Sequence, residues 1–110
     1  MPGALTPTEV MTAWNAGADM VKIFPCSALG GAKYLRALKA PLPQIKMLPT
    51  GGVNLDTAAD YVAAGAAALG VGSELVDPAI VSEGRDDVIR ERAQQLITIV
   101  REARKRLVPR

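Results

Sequence analysis

Apolar residues recur along this chain with two different spacings, and the alternation between the two predicts alternating helices and strands. The C-terminal part repeats apolar residues at i, i+3, i+4 and i+7, which predicts one long helix over about Asp86–Leu107 with one stripe facing the core. A short helical turn over about Pro78–Glu83 is expected before it. The stripe consists of Ile89, Ala93, Leu96, Ile97, Val100, Ala103 and Leu107.

The first helix is predicted by its start signals. Thr6 has the residue type and position of an N-cap, Pro7 follows at the first helical position, and Glu9 completes a capping box. The helix is expected to end near Gly17, since glycine is the residue that most often follows a helix C-terminus.

Two further short helices are predicted in the middle of the chain. One runs from about Gly31 to Lys39, where prolines follow and stop it, and the other runs from about Leu55 to Ala64 before Gly65. The apolar stripe of the first of these consists of Tyr34, Leu35 and Leu38.

Between the helices, short apolar runs predict three strands, at about Met20–Pro25, Ile45–Leu48 and Ala67–Val71. Helices and strands that alternate in this way are typical of a parallel sheet, so we expect an α/β fold in one domain over residues 1–110. A faint repeat agrees with this, because Ala-Gly-Ala stands at 16–18 and again at 64–66, each time where a helix passes into a strand.

Lys22 interrupts the first apolar run, which otherwise has the pattern of a strand buried on both faces. A lysine amine that is desolvated in such a place can be neutral and attack a ketone to form a Schiff base. The structural alternatives are a lysine paired with a carboxylate such as Asp19 or Glu74, or a strand end from which the lysine reaches solvent. The segment alone leaves these alternatives open.

Two of the predicted strands end in glycine turns. Gly51-Gly52 follows the second strand and precedes a helix that Asn54 is expected to cap, and Gly72-Ser73 follows the third strand. Backbone N–H groups in such turns can bind an anion such as phosphate. One Gly-Gly pair is more often plain turn chemistry, but two glycine turns after parallel strands favour a phosphate site.

Composition limits the class of protein further. The chain has 110 residues, of which 49% are hydrophobic and only four are aromatic, which predicts a small globular protein with an aliphatic core. The net charge is +2, and most of the excess lies at the C-terminal end, which we interpret as a solvated helix face, so neither nucleic acid nor a membrane is expected as a partner. No spanning segment or signal peptide is visible, and a cytoplasmic protein is expected. The basic residues are Arg101, Arg104, Lys105, Arg106 and Arg110.

The absence of histidine excludes several kinds of chemistry within the chain. Cys26 is the only cysteine, so it can form neither an internal disulfide nor a Cys-His pair, although a reactive thiol in its loop is conceivable. Ser-His-Asp catalysis and histidine metal sites are excluded too, and no carboxylates stand at ligand spacing. Chemistry here must therefore use lysine, carboxylates, hydroxyls and backbone dipoles.

Four motifs occur in one order along the chain: Pro2-Gly3 with Thr6-Pro7-Thr8-Glu9, then 21–25 (VKIFP), 49–53 (PTGGV) and 70–73 (GVGS). Over nearly the whole chain they resemble the family of 2-keto-3-deoxy-6-phosphogluconate (KDPG) aldolases, also called 4-hydroxy-2-oxoglutarate (KHG) aldolases. The resemblance implies a partial (β/α)₈ TIM barrel, namely its C-terminal half, with about strands six to eight and helices five to eight.

The resemblance also implies roles for individual residues. Lys22 takes the place of the Schiff-base lysine, and substrate contacts fall to Phe24, Pro25 and Thr50. The implied phosphate-binding residues are Gly51, Gly52, Gly72 and Ser73. The family's general acid/base glutamate and a substrate-contacting arginine lie on early strands that this chain lacks, and the loop has Cys26-Ser27 where many relatives have a small residue and an acid.

The activity implied by the resemblance is that of a class I aldolase. Such an enzyme cleaves KDPG to pyruvate and glyceraldehyde 3-phosphate, or 4-hydroxy-2-oxoglutarate to pyruvate and glyoxylate. The iminium accepts the electrons, so no metal or organic cofactor is expected, and the ligand is a small phosphorylated keto acid. The alternatives are a non-catalytic, phosphate-binding half-barrel and a phosphate-binding barrel without Schiff-base chemistry.

Association is also expected. The resemblance implies a homo-oligomer, since the family forms trimers. The chain is also expected to associate with itself or with a missing N-terminal half, because open sheet edges would otherwise make it unstable.

Overall fold

A parallel sheet of three strands lies at the centre of the computed structural model, which describes residues 1–107. The strands are β1 (Gly3–Ala4), β2 (Val21–Ile23) and β3 (Met47–Pro49), and they lie side by side in chain order. Helices connect them, so the predicted α/β class is confirmed.

Five α-helices follow the predicted order, and a 3₁₀ turn at Cys26–Leu29 follows β2. The long C-terminal helix has the predicted bounds, and the capping box of the first helix is confirmed by reciprocal hydrogen bonds between Thr6 and Glu9. The helices are α1 (Pro7–Asn15), α2 (Ala32–Lys39), α3 (Ala58–Ala63), α4 (Pro78–Ser82) and α5 (Asp86–Leu107).

The predicted third strand at Ala67–Val71 is wrong as a regular strand, since only Gly70 forms a bridge, with Thr50. The N–H of Ala67 donates to Met47 C=O and that of Gly70 to Pro49 C=O, both at 2.9 Å. From Ala67 to Gly70 the segment advances by three residues, whereas β3 advances by only two, from Met47 to Pro49. The segment therefore has one extra residue, which interrupts the hydrogen-bond ladder as a β-bulge does. Residues 67–71 therefore lie beside β3 as an irregular segment, which we call the edge segment.

One face of the sheet is buried and the other is open. Val21, Ile23 and Met47 are fully buried and belong to a core that also contains residues of α1, α2 and α3. Lys22 and Leu48, which pair with each other across β2 and β3, are only half-buried on the opposite face. The expectation that the strand around Lys22 is buried on both faces is therefore wrong, because helices cover only one face of it.

Two local details differ from the predictions. The third helix begins later, because the Asn54 side chain accepts the N–H groups of Asp56 (2.9 Å) and Thr57 (3.0 Å) and holds a separate turn there. On α5, Leu96 is buried as predicted, but Ile97 is 55% exposed, so the predicted stripe is only partly covered.

No helix within residues 1–107 combines the length and the apolar character that crossing a bilayer requires. Of the basic residues at the C-terminal end, Arg110 lies outside the described residues.

Candidate active site

Lys22 lies in the middle of the central strand and faces the open side of the sheet. It pairs with Gly3 on one side and with Leu48 on the other. Its Nζ lies 4.9 Å from the centroid of the Phe24 ring, close enough for a cation–π contact. Because Gly3 has no side chain, the lysine amine has free space beside it on this face.

The alternative of a lysine held by a carboxylate is not supported. Over residues 1–107 the only ion pair joins Lys105 to Glu102 at 3.3 Å, so neither Asp19 nor Glu74 pairs with Lys22. The amine remains accessible on a half-buried side chain, which is compatible both with a lysine that reaches solvent and with a nucleophile.

Thr50 follows β3 on the same face as Lys22. Its backbone is fully used, because its N–H donates to Ile23 C=O and its C=O accepts from the N–H of Cys26, both at 2.9 Å. Its Oγ1, in contrast, is buried and has no hydrogen-bond partner among the described residues. A buried hydroxyl without a partner is costly, so this atom is suited to contact a ligand.

Gly70 makes this position of the threonine possible. A β-carbon on Gly70 would overlap Thr50 Oγ1, and its distance to Leu48 Cδ2 would be only 2.9 Å. The edge segment can approach Thr50 only because position 70 has no side chain.

The two glycines after Thr50 fold the turn onto the loop that follows β2. Their φ angles are +89° at Gly51 and +76° at Gly52, values that favour glycine. A β-carbon on Gly51 would lie 3.5 Å from the Phe24 ring, and one on Gly52 would overlap the Ser27 side chain. The Phe24 ring is thus close to both the lysine amine and the first glycine of the turn.

Unused backbone donors lie at this end of the sheet. Among the described residues, the N–H groups of Gly51, Gly52, Gly72 and Ser73 have no acceptor. The bridge between Thr50 and Gly70 places both turns at the carboxyl ends of adjacent parallel segments. Free N–H groups so grouped are suited to bind an anion. The predicted phosphate-binding residues therefore lie together at the carboxyl end of the sheet, as expected for parallel strands.

Sequence reasoning missed Ser27. The hydroxyl oxygen of this exposed residue lies 2.7 Å from the place of a β-carbon on Gly52, so it stands directly over the glycine turn. No pattern in the sequence marks this residue beyond its place in the loop after Pro25, because the contact depends on how two distant turns meet.

Cys26 does not belong to the site. It is fully buried, and its thiol donates to Gly31 C=O at 3.6 Å. Burial raises the pKa of the Cys26 thiol, which disfavours the reactive thiolate. The conceivable reactive thiol is thus not supported. Nor do the side chains of residues 1–107 form any cluster of three or more potential metal ligands.

Comparisons with known proteins agree with an aldolase class. The family model described as KDPG and KHG aldolase matches residues 1–92. The match covers most of the sequence, and the chain belongs to the KDPG and KHG aldolase family.

Individual relatives agree with this assignment. The chain is 48% identical over 75 residues to 2-dehydro-3-deoxy-6-phosphogalactonate aldolase of Escherichia coli K12. The matching region covers 67% of this chain and 36% of that protein. It is 32% identical over 100 residues to 2-dehydro-3-deoxy-phosphogluconate aldolase of Haemophilus influenzae. This matching region covers 91% of the present chain and 47% of the relative. The chain therefore spans less than half the length of these curated relatives.

A solved structure of native KDPGal is similar in fold as well as in sequence. It superposes with a TM-score of 0.82 at 39% identity, over 94% of this chain and 48% of the other. The resemblance stated from the sequence motifs is thus confirmed at the level of the family.

Proposed function

We propose that this chain is the C-terminal half of a (β/α)₈ barrel and that Lys22 is the Schiff-base residue of a class I aldolase. The observation that supports this most is the position of Lys22: its amine has no carboxylate partner within residues 1–107 and faces the open side of the central strand. The unpartnered Thr50 hydroxyl lies after the neighbouring strand on the same face.

The proposed reaction begins when the Lys22 amine attacks the C2 ketone of a 2-keto-3-deoxy-6-phospho sugar acid. Loss of water gives an iminium, which accepts the electron pair of the C3–C4 bond as that bond breaks. The C4 hydroxyl loses its proton, so glyceraldehyde 3-phosphate leaves and a pyruvate enamine remains on the lysine. Protonation at C3 and hydrolysis by water then release pyruvate and the free amine.

The remaining residues of the proposed site bind and orient the substrate. The Thr50 hydroxyl is placed to contact the pyruvate-derived part, and Phe24 with Pro25 forms a wall next to the lysine. The N–H groups of Gly51 and Gly52, with those of Gly72 and Ser73, would hold the phosphate at the far end and so orient the reacting carbons. The Ser27 hydroxyl is a further donor over the same turn.

The substrate class rests on the family and on these donors. Curated relatives include both a phosphogalactonate and a phosphogluconate aldolase, so the proposal is a phosphorylated 2-keto-3-deoxy sugar acid, with 4-hydroxy-2-oxoglutarate as a smaller substrate.

Pyruvate and borohydride test the lysine directly. We expect mass spectrometry to place a reduced pyruvate adduct on the peptide that contains Lys22, and Lys22→Arg to abolish it. Lys46→Arg, a change of an exposed lysine beside β3, is the matched control and should leave the adduct intact. An adduct that persists undiminished in a folded Lys22→Arg sample would contradict the proposal.

A non-catalytic, phosphate-binding half-barrel is the second candidate. The observation that favours it is the absence, within residues 1–107, of a carboxylate paired with Lys22 that could move protons during turnover. This candidate predicts phosphate binding without a borohydride adduct, whereas the aldolase proposal predicts the adduct even where turnover by this half is very slow.

A further inference from the structure

We propose that Thr57 is a positioning residue of the phosphate site: its hydroxyl orients the peptide between Gly52 and Val53, so that the N–H of Val53 is a further donor to the substrate phosphate. This inference rests on the phosphate site of the proposed function. It adds one donor to that site and names the side chain that holds this donor in place.

The hydroxyl of Thr57 is fixed from two sides. It donates to Gly52 C=O at 2.8 Å and accepts the N–H of Asn54 at 3.0 Å. The backbone of Thr57 is fixed as well, because its N–H donates to the Asn54 side chain at 3.0 Å and α3 begins directly after it. The Gly52 carbonyl is therefore held towards the start of α3.

The peptide between Gly52 and Val53 directs its N–H the opposite way. It is a trans peptide, since the only cis bond within the described residues joins Phe24 to Pro25. In a planar trans peptide the C=O and the N–H point in opposite directions, so the N–H of Val53 points away from Thr57. On this proposal it reaches the open face of the sheet, because α3 adds its residues to the core on the covered face.

The N–H of Val53 is also free to bind a ligand. It has no acceptor among the described residues, although Val53 is only 2% exposed. Most buried N–H groups in proteins have a partner, so this one is suited to contact a bound group. With the free N–H groups of Gly51 and Gly52 it makes three successive donors in one turn, an arrangement in which backbone amides bind anions.

The turn needs a restraint because its two glycines leave the backbone free to change conformation. Glycine adopts positive and negative φ angles about equally readily. If the peptide after Gly52 rotated, the Gly52 carbonyl oxygen would take the place of the Val53 N–H and would repel a phosphate. The hydrogen bond from Thr57 favours the orientation in which the donor faces the anion.

The second glycine turn is held in a different way. Its Gly72 C=O accepts the N–H groups of Leu75 and Val76, both at 3.0 Å, so the backbone of that turn fixes its own conformation. Within residues 1–107 the Gly52 C=O accepts only from the Thr57 hydroxyl. Loss of this hydroxyl should therefore free the first turn and leave the second turn as it is.

Isothermal calorimetry with inorganic phosphate tests the hydroxyl. We expect Thr57→Val to weaken phosphate binding about tenfold, the loss that one hydrogen bond to a charged group gives, while the pyruvate adduct forms at the wild-type rate. Thr57→Ser keeps the hydroxyl and should bind phosphate as tightly as the wild type. Thr98→Val is the matched control, because it removes another threonine hydroxyl that donates to a backbone carbonyl, that of Gln94 at 3.0 Å on α5. It should change neither phosphate binding nor adduct formation.

Nuclear magnetic resonance of the backbone amides tests the donor itself. Titration with inorganic phosphate should move the amide proton of Val53 downfield together with those of Gly51 and Gly52. In Thr57→Val the shift of the Val53 proton should be much smaller.

The outcomes separate this inference from the proposed function. If phosphate moves the two glycine amides but not that of Val53, or if Thr57→Val binds phosphate as tightly as the wild type, the inference is wrong and the phosphate site stands. A Thr57→Val variant that loses phosphate affinity and adduct rate to the same extent would assign the hydroxyl to folding, which also overturns the inference. If phosphate moves none of the three amides, the phosphate site of the proposed function is wrong together with the inference, and only the role of Lys22 remains to be decided by pyruvate trapping.

Discussion

Thr50 and Thr57 are two threonines with opposite surroundings, and the contrast makes the proposed role of Thr50 testable. The Thr57 hydroxyl donates to Gly52 C=O at 2.8 Å, whereas the Thr50 hydroxyl is buried without a partner among the described residues. Removing a hydroxyl that has a partner costs about 1 kcal/mol, whereas removing one that has none is neutral or stabilising.

We therefore expect Thr50→Val to leave the free energy of unfolding unchanged or to raise it, while the borohydride adduct with pyruvate forms more slowly. Thr57→Val, the control, should lower the free energy of unfolding by about 1 kcal/mol. Urea denaturation and the rate of adduct formation measure the two effects. If Thr50→Val destabilises the protein and leaves the rate of adduct formation unchanged, the hydroxyl is structural.

Position 52 requires glycine for two reasons: its φ angle is in the left-handed region, and a β-carbon there would overlap the Ser27 side chain. We expect Gly52→Ala to weaken binding of inorganic phosphate at least tenfold, because the turn must shift, and to change pyruvate adduct formation much less. The Gly52→Ala, Ser27→Gly double variant removes the overlap together with the Ser27 hydroxyl, so it should bind phosphate more tightly than Gly52→Ala but more weakly than Ser27→Gly alone. Isothermal calorimetry and adduct formation measure the two ligands separately, and equal losses for both would show that the glycine serves folding alone.

At the scale of single residues, the sequence predicted what depends on local pattern. Lys22 was recognisable because it breaks an apolar run, and Gly51 and Gly52 because they follow a strand. The place of Ser27 over Gly52 and of Gly70 against Thr50 was not predictable, since both contacts join turns that are distant along the chain.

At the scale of elements, α3 is held against the loop after β2 by Tyr61. This side chain is almost fully buried, and burial raises the pKa of Tyr61 to about 12, from 10.0. A raised pKa means that the contribution to stability is complete below pH 10 and is lost as the pH rises from about 10 towards about 12.

Alkaline unfolding should therefore depend on this tyrosine. We expect Tyr61→Phe, which has no phenol to ionise, to move the alkaline unfolding midpoint to higher pH than in the wild type. Circular dichroism across the alkaline range measures the midpoint. Trp14→Phe, an aromatic change that removes no titrating group, is the control and should leave the pH at the midpoint closer to that of the wild type. Identical midpoints for the wild type and Tyr61→Phe would contradict the prediction.

The elements themselves show which patterns determine structure. α1 and α5 were predicted closely, because a capping box and a long apolar stripe are local signals. β1 has only two residues, too few for any periodicity, and it was not among the three predicted strands. The prediction of a regular strand at the edge segment was wrong. Its apolar residues indicate an extended chain, but they do not indicate the extra residue that breaks its register with β3.

At the scale of the whole molecule, the exposed surface follows from the number of strands. A sheet with helices on one face and an open opposite face leaves Phe24 exposed and Lys22 and Leu48 only half-buried. The sequence predicted the α/β class and the open edges. It could not predict that an apolar groove lies between α5 and the edge segment, because this depends on how α5 lies across the sheet.

The order of the strands has a consequence for biosynthesis. Since β1, β2 and β3 pair in the order in which they occur in the chain, β2 and β3 each meet a neighbour that is already there when they emerge from a ribosome. The edge segment likewise follows its neighbour β3, whereas the apolar residues of β1 and α1 must wait until β2 has been made. A chaperone that captures nascent chains should therefore bind residues 4–14 of this protein before β2 emerges, rather than residues 67–75.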